Sequence, residues 1–124
     1  MLARGMTIVA AAALLAACGK ASTPADPAAF AHEQMRADLT RLMTAEQTYH
    51  TAHGAYTTSG TALAFVPTVD VGVILVYADS NGYGARATHN SVGTQCGVYV
   101  GVEIPSFTAT LPGVTLTPGL IGCQ

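Results

Sequence analysis

The sequence predicts an α+β domain in which a long N-terminal helix packs on a three- to four-stranded antiparallel meander sheet. Two observations carry this reading. From Ala28 to Ala52 apolar residues recur every three to four positions with no glycine or proline among them, which is the period of one helix face. From Val71 onward β-branched runs alternate with turn residues, as strands and hairpins require. A third observation bounds the size: 124 residues, 50% of them hydrophobic and 10% charged, are enough for one domain at most.

The charge balance excludes two classes. Five basic residues against seven acidic ones give a net charge of -2, so the chain lacks the basic footprint of a nucleic-acid binder, and no nucleic-acid partner is predicted. Half-hydrophobic composition is equally unlike a disordered acidic tail.

The first element is a leader. Arg4 gives a short positive region, and Met6 to Ala17 then runs without charge through Ile8, Val9, four consecutive alanines, Leu14 and Leu15. Twelve residues of helix rise only about 18 Å against a hydrocarbon core of about 30 Å, so residues 1–17 read as a cleaved signal peptide rather than a span. The segment ends in Leu15-Ala16-Ala17-Cys18 followed by Gly19. This end resembles the lipobox of bacterial lipoproteins. The resemblance implies that Cys18 is lipidated, becomes the new N-terminus and anchors the protein to a membrane, each buried CH₂ contributing about 0.8 kcal/mol. In that family an aspartate after the cysteine favours inner-membrane retention. Gly19 is not one, so the resemblance points to the outer membrane of a bacterial cell envelope. With Cys18 carrying lipid, Cys96 and Cys123 remain of the three cysteines, and an exported setting favours their pairing as a disulfide.

Residues 18–26 contain no large apolar side chain and read as the lipidated cysteine and its flexible tether, leaving 27–124 as the folded domain. Asp26 followed by Pro27 is a helix start: the carboxylate accepts bonds from orphan N–H groups and proline fits the first helical position. Gly54 is placed to close the helix after about 27 residues, roughly 40 Å. At 100° per residue Ala28, Ala31, Met35, Leu39, Leu42, Tyr49 and Ala52 form one stripe, with Met43 and Ala45 at its edges. Glu33, Arg36, Asp38, Arg41 and Gln47 lie largely off it. Glu46 falls near its middle, where an unpaired carboxylate would cost several kcal/mol. It is expected at the sheet's margin, accepting bonds from the loop at 54–58, or else contacting another subunit.

Val71 to Tyr77, short and β-branched, reads as a central strand. Asp79-Ser80-Asn81-Gly82 supplies a hairpin turn of the Asn-Gly kind, Tyr83 to His89 the second strand, a turn at 90–95 the next reversal, and Cys96 to Val102 the third strand. Proline and glycine break up the tail, which carries too few large side chains to dock itself and offers one short strand at Val114 to Thr117. A Cys96–Cys123 bond would clip that tail to the third strand, closing a loop of about 27 residues for about 3.5 kcal/mol in the chain-entropy account.

This order of elements resembles the soluble domain of type IV pilins and type II secretion pseudopilins. Asp38-Leu39 with Arg41-Leu42, Ala45 to Tyr49 and Gly54 to Thr57 look like that family's helix end and following loop; Gly82 to His89 and Cys96 to Gly101 look like its second and third strands. The likeness covers roughly residues 30 to 124. It implies a pilin-like head with pilus or secretion-system proteins as partners. The family's own apolar N-terminal helix is replaced here by the lipobox segment.

No residues assemble into a recognisable reaction centre. The sequence has no Gly-x-Ser-x-Gly turn, no phosphate loop and no carboxylate pair at readable spacing, so no catalytic residue, cofactor or small-molecule substrate is assigned. His50 and His53, three apart, could reach one ion, but two ligands do not complete a site, and no metal is predicted. The expected function is that of a non-enzymatic, lipid-anchored envelope protein whose head serves structure or protein interaction. The alternatives are a binding module, either an adhesin or an accessory subunit of a pilus or secretion system, and more distantly an enzyme of unknown chemistry.

Overall fold

The computed structural model describes residues 26–108 and 110–124. The expected signal peptide, the lipidated Cys18 and the tether up to residue 25 lie outside the described residues.

Helix α1 runs Pro27–His53 and is closed at both ends by its own sequence. Asp26 Oδ1 accepts the Ala28 N–H at 3.0 Å, and Gly54, at φ 74°, returns its N–H to His50 O at 2.7 Å. The buried face is Ala31, Met35, Asp38, Leu39, Leu42 and Glu46. Two expectations change here. Asp38 is buried rather than off the stripe, and the apolar contact ends at Glu46, leaving Tyr49 half-buried and Ala52 exposed. Past Glu46, Tyr49, Ala52 and His53 face Ala62 and Leu63 of the following loop across a shallow depression, without full burial.

Four strands follow in the spatial order β1 (Val71–Ala78), β2 (Tyr83–His89), β3 (Val92–Val100), β4 (Gly122–Cys123), all antiparallel. β1 is an edge strand rather than a central one. Ile74 and Val76 face outward and stay exposed, so an uninterrupted apolar run here does not mark a strand covered on both faces. β3 starts at Val92, four residues earlier than expected, because the β2–β3 turn consists of Asn90 and Ser91 alone. It ends at Val100, where Gly101, at φ 82°, turns the chain off the sheet. The predicted strand at Val114 to Thr117 is loop, and Gly122–Cys123 takes the fourth position.

The first hairpin also differs. Neither Asn81 nor Gly82 has positive φ; the turn is held instead by Asp79 Oδ1, which accepts the N–H groups of Asn81 and Gly82 at 2.7 and 3.0 Å. Gly82 serves close approach, since a β-carbon there would fall 2.1 Å from Val100 O.

The sheet carries a core on each face. On the inner face Met35, Leu39 and Leu42 of α1 pack against Val71, Ala85, Ala87, Cys96 and Val98, each fully buried Leu or Met contributing about 1.5–3 kcal/mol. On the outer face Tyr99 lies under Phe107, Leu111 and Leu116 from the tail, with Tyr77 and Ile104 alongside. The tail therefore does dock itself, through a short helix α2 (Pro105–Thr108) that buries Phe107. Tyr77 reaches this face because the β1–β2 register shifts between Leu75 and Tyr77, a bulge that reverses the alternation. Cys96 and Cys123 face each other across β3 and β4 and are joined as a disulfide, Cα–Cα 4.0 Å.

Candidate functional site

α1 brings two fully buried carboxylates to the core, Asp38 and Glu46, separated by about 12 Å along the helix. They are satisfied differently. Asp38 Oδ2 accepts the Thr68 N–H at 2.7 Å, while Oδ1 accepts the Thr68 hydroxyl at 2.7 Å and an N–H of Arg41. Arg41 also donates to Val66 O at 3.2 Å and lies over the Phe65 ring. Burial pushes the Asp38 carboxyl up, but the bonds from Arg41 and Thr68 together outweigh it, and the net direction is down. This cluster fastens the loop between α1 and β1 to the middle of the helix.

Glu46 has one partner. Its Oε2 accepts the Thr57 N–H at 3.0 Å, and Oε1 is buried with no hydrogen bond among the described residues. Burial raises its pKa, the Thr57 bond offsetting part of the rise. Beside it Tyr83 is buried, and its phenol is pushed up by burial first and then by Glu46 and Tyr56. Tyr56 tilts against Tyr83 at a centroid distance of 4.9 Å and stacks on His50 at 4.3 Å. Tyr83 and Tyr56 thus form an aromatic wall beside Glu46, and burial makes its carboxyl harder to ionise than an exposed one.

On the open side of this wall a shallow groove of about 440 Å³ runs between Thr40, Met43, Thr44, Gln47 and Thr48 of α1 and Tyr83 and Val100 of the sheet. The threonine hydroxyls are spent within the helix: Thr40, Thr44 and Thr48 donate to the carbonyls four residues back, at 2.8, 3.2 and 3.0 Å.

The histidines are dispersed. His50 donates from Nε2 to Ser80 O at 3.2 Å, and the exposed His53 stacks on Tyr49 at 4.1 Å. His32 Nε2 meets Thr94 Oγ1 at 2.7 Å. His89 is buried between Gln34 Oε1, 2.7 Å from Nε2, and Ser91, whose N–H and hydroxyl lie 3.1 and 2.8 Å from Nδ1. The Ser91 N–H on Nδ1 assigns the ring proton to Nε2, which donates to Gln34. Among the described residues no group of three or more His, Cys, Asp or Glu is placed to share one ion.

The sequence had singled out Glu46 and the two bonded cysteines. It missed Asp38 and the Gln34–His89–Ser91 chain, since both depend on partners from separate elements. The spacing of His89 and Ser91 around a two-residue turn is the one local signal of the second.

No family model and no curated protein matches the chain. No helix of the described residues is long and apolar enough to cross a membrane.

Proposed function

We propose that this chain is a non-enzymatic, lipid-anchored protein of the bacterial cell envelope, held in the outer membrane, whose pilin-like head serves structure or protein interaction. The observation that carries the reading is the fate of the cysteines. Of three, Cys96 and Cys123 are bonded to each other, and the third, Cys18, closes the lipobox-like Leu15-Ala16-Ala17-Cys18. Lipidation at Cys18 leaves no thiol over. The pilin-like reading is supported by the order of a helix, a loop fastened back on it at Asp38 and Glu46, an antiparallel meander, and a tail clipped to β3.

Metabolic labelling with palmitate tests it. The wild-type protein should incorporate label and partition into detergent, and Cys18→Ser should lose both while its head stays folded. Persistent membrane association of the Cys18→Ser protein would overturn the anchor.

A further inference from the structure

The tail covers only part of the sheet's outer face. Phe107, Leu111 and Leu116 lie over Tyr99 and Tyr77, whereas Ile74 and Val76 of β1 stay 48% and 43% exposed. Arg86 is the cross-strand partner of Ile74 and stands on the same face. It is half-buried, and its Nε is enclosed without a hydrogen-bond partner. Among the described residues the only ion pair is Arg41–Asp38, so no carboxylate answers Arg86. A guanidinium cannot shed its proton, and partly burying one without an acceptor is unfavourable.

The edge beside it is open. β1 ends the sheet, and residues 72 to 78 take part in none of the turn, loop or cap hydrogen bonds, so their outward N–H and C=O groups have no backbone partner among the described residues. The strand Val71–Ala78 contains no charge and no proline; the one edge-blunting device in it is the bulge after Leu75, which leaves Val71–Leu75 as the regular stretch of edge.

We propose that the β1 edge receives an extended segment of a partner protein as an added strand, with one acidic side chain of that segment opposite Ile74 and directed at Arg86, and apolar side chains two residues to either side, opposite Gly72 and Val76, flanking the exposed Ile74. The inference rests on the protein-interaction part of the function proposed above and is independent of the lipid on Cys18. Main-chain bonds to β1 supply affinity, and alternate side chains supply specificity. Strands lie about 4.8 Å apart, so an outer-face residue opposite Ile74 on the added strand sits about 10 Å from the Arg86 backbone, within the joint reach of a glutamate and an arginine. Asp70 and Asp79 stand beyond the two ends of β1, so acidic residues at the segment's ends are disfavoured and a single central one is selected. One cation on an uncharged edge suits one carboxylate on a chain; an anionic membrane would require several.

The test titrates full-length protein, purified in detergent, into fluorescein-labelled Ser-Thr-Val-Ser-Glu-Ser-Val-Thr-Ser and reads polarisation. Saturable binding is expected, weakened about ten-fold when glutamine replaces the glutamate, and abolished when alternate peptide amides are methylated. Arg86→Gln should bring the glutamate peptide down to the affinity of the glutamine peptide, and Arg86→Glu should favour a lysine peptide. Equal affinity of the unmodified protein for the glutamate and glutamine peptides would overturn the proposal, as would no saturation by about 1 mM. Binding to phosphatidylglycerol vesicles that Arg86→Gln abolishes, in place of peptide binding, would overturn it in favour of a lipid surface. Palmitate labelling of the Arg86 variants should match wild type, so loss of peptide binding and loss of the anchor are read separately.

Discussion

Tyr77 rests on the bare α-carbon of Gly84. The two are cross-strand partners beyond the β1 bulge, and a β-carbon on Gly84 would stand 2.3 Å from Tyr77 Cε1. From that seat the Tyr77 ring meets Phe107 edge-on at a centroid distance of 5.7 Å, and its hydroxyl donates to Val102 O at 3.3 Å. The absence of a side chain at 84 therefore decides where the tail docks.

Gly84→Ala should lower stability by about 1–3 kcal/mol, because the ring must leave its place and Phe107 with it. Gly93→Ala is the control: its new β-carbon meets nothing within 4 Å and its φ is not positive, so it should be neutral or stabilising by up to about 1 kcal/mol. Urea unfolding of the two variants checks both. Equal stabilities would remove Tyr77 from the account of the tail.

Asp38→Asn should cost about 2–3 kcal/mol, since an amide cannot accept the bonds of Thr68 and Arg41 together. The pH dependence has a definite sign. A carboxyl whose folded pKa is depressed contributes stability that is present above the ordinary aspartate value, about 3.9, and lost as pH falls through the lower folded value. The wild type should lose that stability in strong acid and the variant should not, measured as urea midpoints against pH.

Glu46 runs the other way. Its folded pKa is raised, so the protein is favoured below the ordinary glutamate value, about 4.3, and loses stability as pH rises through the raised folded value. Glu46→Gln should keep the Thr57 bond, gain up to about 1 kcal/mol at pH 7, and flatten the decline that begins above the ordinary glutamate value. A variant weaker than wild type at pH 7 would show that the ionised carboxylate has a partner this account omits.

Cys96 and Cys123 should resist alkylation in the native protein, and the double alanine variant should lose about 2–4 kcal/mol. Loss of the bond frees β4, which has only two residues on β3, so protection of the amides there should fall first in hydrogen exchange.

What was legible in the sequence was what acts locally. Asp26, Pro27 and Gly54 set the ends of α1 through bonds spanning two to four residues, and the position of Glu46 on the stripe followed from helical period alone. Asp38 was not legible because the residue that satisfies it, Thr68, is 30 positions away in a loop without period. The outer core was hidden for two reasons. The bulge after Leu75 reverses side-chain alternation, and Phe107, Leu111 and Leu116 are spaced among prolines and glycines that read as irregular tail. Arg86 has no local signal in its strand, and only the sheet order shows it one strand in from an open edge.

The most direct test of the central claim is the intact mass of the mature protein with sequencing of its N-terminal peptide. The account predicts removal of residues 1–17 and a Cys18 carrying a diacylglyceryl thioether and an N-acyl chain, with Cys96 and Cys123 oxidised. An N-terminus at any other residue, or an unmodified Cys18 thiol in protein taken from the membrane fraction, would contradict it.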